Sequence, residues 1–116
     1  NPESAQAFHA RGLIHQKRRD NARAVTDFDN AIDRDPFAAA PYLARGESLV
    51  ALGKYDKAVE DFNAALNVDS KSALAWAWLG VAYDKSGNRS KAQESYQRAL
   101  TLDPQQPLAK QGMGRG

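Results

Sequence analysis

The chain contains no cysteine. A disulfide framework, a thiolate zinc site and a cysteine nucleophile are therefore excluded, while neither a reducing nor an oxidising compartment is selected. Histidine is nearly as scarce. His9 and His15 are the only two, and on one helix their spacing turns them about 240° apart, so they do not share a metal. No apolar run approaches the roughly 18–20 residues of a membrane span, and no charged-then-apolar leader opens the chain. The start, NPESAQ, reads like an interior stretch, as in a processed form or an excised fragment. Net charge is also small, +2 over 116 residues, which gives no strong pull towards nucleic acid or an anionic membrane. Nor is there a glycine-rich phosphate loop or a nucleophile–base pair. The residues point to no enzyme and no cofactor.

What is present is a repeat. Hydrophobic residues make up 42% and charged residues 26%, a balance that suits a folded chain rather than a disordered one. A step of 34 residues connects Gly12, Gly46 and Gly80. The same step connects Ala24, Ala58 and Ala92, and Ala31, Ala65 and Ala99. Aromatic columns run through Phe8, Tyr42 and Trp76 and through Phe28, Phe62 and Tyr96. Each unit closes on Asp35, Asp69 or Asp103.

Within a unit the spacing is helical. Tyr42, Arg45, Gly46 and Leu49 fall at i, i+3, i+4, i+7. Gly53 then serves as a left-handed cap, and from Tyr55 a second stripe runs through Ala58, Val59, Phe62, Ala65 and Leu66. Ser72 is a good N-cap for the helix that follows. Six helices are expected at about 4–17, 21–33, 38–51, 55–67, 72–85 and 89–101, with a shorter seventh near 105–113. No segment alternates as a strand does. Pro41 falls in a first helical turn, where its missing N–H has no intrahelical acceptor. Arg19 occupies the turn position of Gly53 and Gly87. A left-handed conformation costs an ordinary side chain about 1 kcal/mol, so the first unit is expected to turn differently and to be the least stable. Gly46, Ala58 and Ala65 allow two antiparallel helices to approach closely, with Tyr42 and Phe62 filling the space beside them. One such pair cannot bury its own stripe, whereas a stack of pairs forms a continuous core.

This pattern resembles the tetratricopeptide repeat, a helix–turn–helix unit of 34 residues. The resemblance covers residues 5–106 as three repeats, about 5–38, 39–72 and 73–106, within one domain spanning 1–116. PLAKQGMG opens like a fourth unit and supplies a capping helix at about 105–114. The third unit keeps the signature best, with Trp76, Leu79, Gly80 and Tyr83 followed by Ala92, Tyr96, Ala99 and Pro104. Arg11 and Arg45 stand where leucine is usual, with stems expected to pack while their heads reach water. His15 stands in the column of Leu49 and Tyr83.

The resemblance implies an all-α, right-handed superhelical solenoid with a non-catalytic role: holding a protein or peptide on a concave face lined by the first helix of each repeat. From the first unit it places Gln6, His9, Ala10, Leu13, Gln16 and Lys17 on that face. The second unit contributes Ala40, Leu43, Ala44, Glu47, Val50 and Ala51. The third contributes Leu74, Ala77, Trp78, Val81, Asp84 and Lys85. The expected ligand site is a shallow apolar trough at the centre, with Trp78 either its anchor or covered by a neighbouring repeat, and with Trp76 facing the partner helix of its own pair. One known use of the family is capture of an acidic C-terminal tail by Lys, Arg and Asn. The corresponding places here hold His9, Leu13, Ala44, Leu74 and Trp78, so that clamp is absent.

Other clusters have simpler readings. HQKRRDNAR at 15–23 lacks a nearby aromatic residue for base stacking and reads as a solvated turn. Asp27, Asp29, Asp33 and Asp35 lie around a helix, not in a calcium loop, and read as a solvated surface. The glycine-rich end of PLAKQGMGRG leaves the stack incompletely capped. Self-association through an end or through the trough is therefore the alternative role.

Overall fold

The computed structural model of the protein describes residues 4–114. Seven helices follow in order: α1 (Ala5–Lys17), α2 (Asn21–Arg34), α3 (Ala39–Ala51), α4 (Tyr55–Val68), α5 (Ala73–Lys85), α6 (Arg89–Leu102) and α7 (Pro107–Gly114). There is no strand among the described residues. Side chains start several of the helices. Ser4 Oγ accepts from the Ala7 N–H at 3.0 Å, and Ser72 Oγ accepts from Ala75 at 3.1 Å. Asp20 and Asn88 do the same for α2 and α6. The closing aspartate column also has a local cause. Oδ1 of Asp35, Asp69 and Asp103 each accepts from the backbone N–H two residues on, at 3.1, 3.1 and 3.0 Å. That bond makes the turn between units whether or not a proline follows.

The turns inside the units correct one expectation. Arg19 adopts φ 61°, beside 78° at Gly53 and 91° at Gly87. The hydrogen bonds match as well. Asp20 N–H donates to His15 O, Lys54 to Leu49 and Asn88 to Tyr83, each at 2.8 Å. All three helices end in this bonding pattern, which satisfies their last carbonyls. The first turn is therefore not different. The gain from closing it outweighs the steric cost at Arg19.

Helices pack in antiparallel pairs, α1 with α2, α3 with α4 and α5 with α6, and each pair packs on the next. An aromatic ring lies at the centre of each pair. A Cβ built on Gly12 would meet Phe28 at 2.5 Å, one on Gly46 would meet Phe62 at 2.4 Å, and one on Gly80 would meet Tyr96 at 2.4 Å. The small columns thus exist so that a ring can lie flat against a backbone. Phe28, Phe62 and Tyr96 are almost wholly buried. The next odd-numbered helix closes the other side of each ring. Ala44 clusters with Phe28, Trp78 stacks on Phe62, and Gly112 lies against Tyr96.

The arginines and aspartates also depart from expectation. Arg11 donates from Nε and Nη2 to both carboxylate oxygens of Asp27, at 2.8 and 2.7 Å. Arg45 grips Asp61 in the same way and at the same distances, and its Nη1 reaches Asp29 at 2.7 Å. The Asp27 and Asp61 side chains are only 4% and 7% exposed. Asp27 is therefore not a solvated surface group, and Arg45 is largely withdrawn from water with its side chain 23% exposed, whereas Arg11, 62% exposed, reaches water as expected. Burying a carboxylate is tolerated because two charge-assisted bonds replace its hydration. Hydrogen bonding to Arg11 holds the Asp27 carboxyl below its ordinary range. In the third pair Leu79 and Ser95 take these two places.

The odd helices α1, α3, α5 and α7 touch one another in a row, whereas no contact links α2 to α4 or α4 to α6. A stack that is closed along one row and splayed along the other curves towards the closed row. The molecule measures 46 × 25 × 21 Å.

Candidate ligand-binding groove

The inner row positions the site. Where α3, α5 and α7 meet there is a cavity of about 230 Å³. Glu47, Val50 and Ala51 line it from α3, Trp78, Val81 and Lys85 from α5, and Leu108, Gln111 and Gly112 from α7. Tyr96 reaches in from α6. The volume is below the roughly 300–1,000 Å³ of a small-molecule pocket and suits an inserted side chain.

Trp76 and Trp78 are both half-buried but serve opposite sides. The Trp78 ring stacks on Phe62 with centroids 6.2 Å apart and planes at 24°, and it also lines the cavity. Its counterparts Ala44 and Gly112 are too small to extend past the ring beneath them. Trp76 Nε1 donates to Ser70 O at 3.2 Å, and Arg98 lies 5.4 Å above its ring. Trp76 faces a larger depression of about 790 Å³ on the outer side, with Tyr83, Lys91 and Arg98. There Lys91 covers Tyr83 just as Arg98 covers Trp76. Because both rings already have a cation over them, the smaller inner cavity is the better candidate despite its size.

The structure divides the expected site residues into groups. Glu47, Val50, Trp78, Val81 and Lys85 are brought together. His9, Leu13, Leu43 and Leu74 lie outside this cavity. Leu13 and Leu74 are well exposed, Leu43 packs on the central core, and the His9 ring tilts against Phe28 at 5.8 Å. Burial pushes His9 below its ordinary pKa. Ala44 and Ala77 are buried in the core, because at these positions the helix surface meets Phe28 and Tyr96. Their side chains offer nothing to a ligand. Gln16 is also committed: its Nε2 donates to Ala44 O and Ser48 Oγ, at 3.0 and 2.9 Å, bridging α1 to α3. Asp84 accepts from Tyr96 Oη at 2.7 Å and from Arg89 Nη1 at 2.8 Å, while Arg89 Nη2 holds Gly112 O at 2.9 Å. This network fixes the α7 wall. The wall itself, Leu108, Gln111 and Gly112, was missed, although the same step of 34 residues carries Leu74, Ala77 and Trp78 onto those three positions.

Glu47 differs from every other acid near the core. It is half-buried, and among the described residues no hydrogen bond or ion pair reaches it. Burial pushes its carboxyl up to about 7.

A tetratricopeptide repeat family model matches residues 9–66 and again 43–107. The chain belongs to the tetratricopeptide repeat family. No curated protein matches this tetratricopeptide repeat chain in sequence. Solved structures match it in fold. The Arabidopsis OM64 TPR domain has a TM-score of 0.93 at 24% identity, over 96% of this chain and 92% of that one. The first TPR of Spaghetti (RPAP3), bound to the HSP90 peptide SRMEEVD, has a TM-score of 0.93 at 21% identity, over 99% and 91%. The Sgt2 TPR domain from Aspergillus fumigatus has a TM-score of 0.91 at 24% identity, over 99% and 77%. At such identities these tetratricopeptide repeat structures share the solenoid with this chain, and that solenoid places the cavity on the inner row.

Proposed function

We propose that this domain is a non-catalytic scaffold that seats a peptide or helix of a partner protein in the inner groove, with Trp78 as its apolar anchor. The observation carrying this reading is the position of Trp78. It stacks on Phe62 and still lines a cavity of side-chain size. Large aromatic residues at the centre of a concave apolar surface are the usual energetic anchors of protein recognition. Val50, Val81 and Leu108 supply the walls, with Leu13 and Leu74 exposed further along the odd helices.

The RPAP3 structure holds an acidic peptide, SRMEEVD. His9, Leu13, Ala44, Leu74 and Trp78 include no Lys or Arg, and the one lysine that lines the cavity, Lys85, shares it with Glu47. The guest proposed here is accordingly anchored by an apolar contact with Trp78 rather than by an acidic tail.

Trp78→Ala tests this reading. Ala44 occupies the equivalent place against Phe28, so the fold has a working precedent for a small residue there. We expect the variant to stay folded, losing about 1–2 kcal/mol of stability, and to lose tenfold or more in affinity for peptides selected from a displayed library against the intact chain. Unchanged affinity in a folded Trp78→Ala chain refutes the anchor.

A further inference from the structure

The other acids that approach the core have their own cations. Asp27 has Arg11, with His15 Nε2 at 3.5 Å; Asp61 has Arg45; Asp84 has Arg89. Glu47 has none among the described residues, and Leu13 and Val81 occupy its place in the neighbouring units. An aliphatic residue at that place would keep the trough apolar, as it does on either side. An ionised carboxylate half-removed from water with no counter-charge works against folding. Its oxygens are not sealed in, because no unpartnered polar side-chain atom is fully buried in the described structure. They therefore keep some contact with solvent, and Glu47 lines the groove. Lys85 lines the same cavity but lies beyond ion-pair distance of Glu47, and it also borders the surface around Lys54, Tyr55 and Asp56.

We infer that the groove selects a guest carrying a cation on an alkyl stem, a lysine or arginine side chain, whose charged head meets Glu47 while its stem lies along Trp78. The inference rests on the reading of the groove as a peptide site and adds to it the chemistry of the guest. A cation entering here recovers the interaction that Glu47 forgoes in the free chain, in a setting where water screens it less than on an open surface. The indole face favours the same occupant. The cavity of about 230 Å³ suits such an insertion. The carboxyl's elevated titration, at about 7, reflects the missing partner and returns towards the ordinary range when one arrives.

Three small probes of equal length test this on the intact chain at pH 8: n-hexylammonium, n-hexanol and n-hexanoate. Binding is followed by NMR at the Trp78 indole N–H and the Glu47 side-chain carboxyl carbon. Hexylammonium is expected to bind about fivefold or more tighter than hexanol and to lower the Glu47 titration midpoint, with hexanoate weakest. In Glu47→Gln the preference should vanish while hexanol binding persists. Equal binding of ammonium and alcohol to the unaltered chain overturns the cation preference but leaves the apolar groove standing. A preference that appears only in Lys85→Met also overturns it, since Lys85 would then be the true counter-ion. If no probe perturbs Trp78, the groove reading fails and the inference fails with it.

Discussion

A single methyl group at Gly46 would come within 2.4 Å of the Phe62 ring, which is fully buried and backed by Trp78 on its other side. Gly46→Ala is therefore expected to lower stability by about 1–3 kcal/mol, read as a shift in the denaturation midpoint, although alanine favours helix over glycine. Glu47 gives the opposite sign and a pH signature. Its carboxyl is raised from an ordinary 4.5 to about 7, so the folded state keeps a proton that the unfolded chain has already released. Rising pH between those values therefore destabilises the fold, and the penalty is complete above about 7. Glu47→Gln should gain about 1 kcal/mol at pH 8, a figure kept small because solvent still reaches the group, and nothing at pH 4. Denaturant titrations at the two pH values check it, and an equal effect at both would exclude the carboxylate as its source.

The pairing of α3 with α4 depends on Arg45 and Asp61, while the pairing of α5 with α6 has Leu79 and Ser95 at the same two places. The two solutions are alternatives, one charged and bidentate, one small and neutral. Replacing only one partner strands the other. Arg45→Leu leaves a buried carboxylate without its cation and is expected to cost about 3 kcal/mol. Arg45→Leu with Asp61→Ser imports the third pair's solution and should recover most of that loss. A double-mutant cycle measured by chemical denaturation gives the coupling, and purely additive losses would show that the pair contributes no specific pairing energy. The same carboxylate–guanidinium geometry accounts for the leucine-to-arginine departures in the first two repeats, which arginine stems alone do not explain.

Over the whole stack, the two ends are unequal. Position 14 carries isoleucine and is 49% exposed, whereas Ser48 and Ala82, its counterparts in the following units, are fully buried by the pair before them. Among the described residues only α2 and α3 pack on α1, so the face that carries Ile14 lacks that cover. At the other end α7 covers the Tyr96 cluster with Leu108, Ala109 and Met113. Because the stability of a solenoid is a sum of units and interfaces, the amides of α1 are expected to exchange with solvent before those of α3 and α5. Hydrogen exchange at two protein concentrations reads this directly. Exchange at α1 that slows with concentration would point to copies associating through this end, and uniform exchange across the stack would contradict the gradient.

The 34-residue step, the helix boundaries and the glycine–aromatic register follow from periodicity, because a helix presents its faces by spacing alone and a repeat multiplies the signal, while the inner placement of Glu47, Trp78 and Val81 is what the family resemblance implies. Periodicity did not reveal that Asp27 and Asp61 are buried partners of Arg11 and Arg45, that Arg19 closes the same turn as Gly53, or that Ala44 and Ala77 are covered. Each of these depends on what lies across an interface, and a column of residue types does not specify its neighbour. The loneliness of Glu47 is the clearest case: only packed helices could show that every nearby cation was already engaged elsewhere or out of reach.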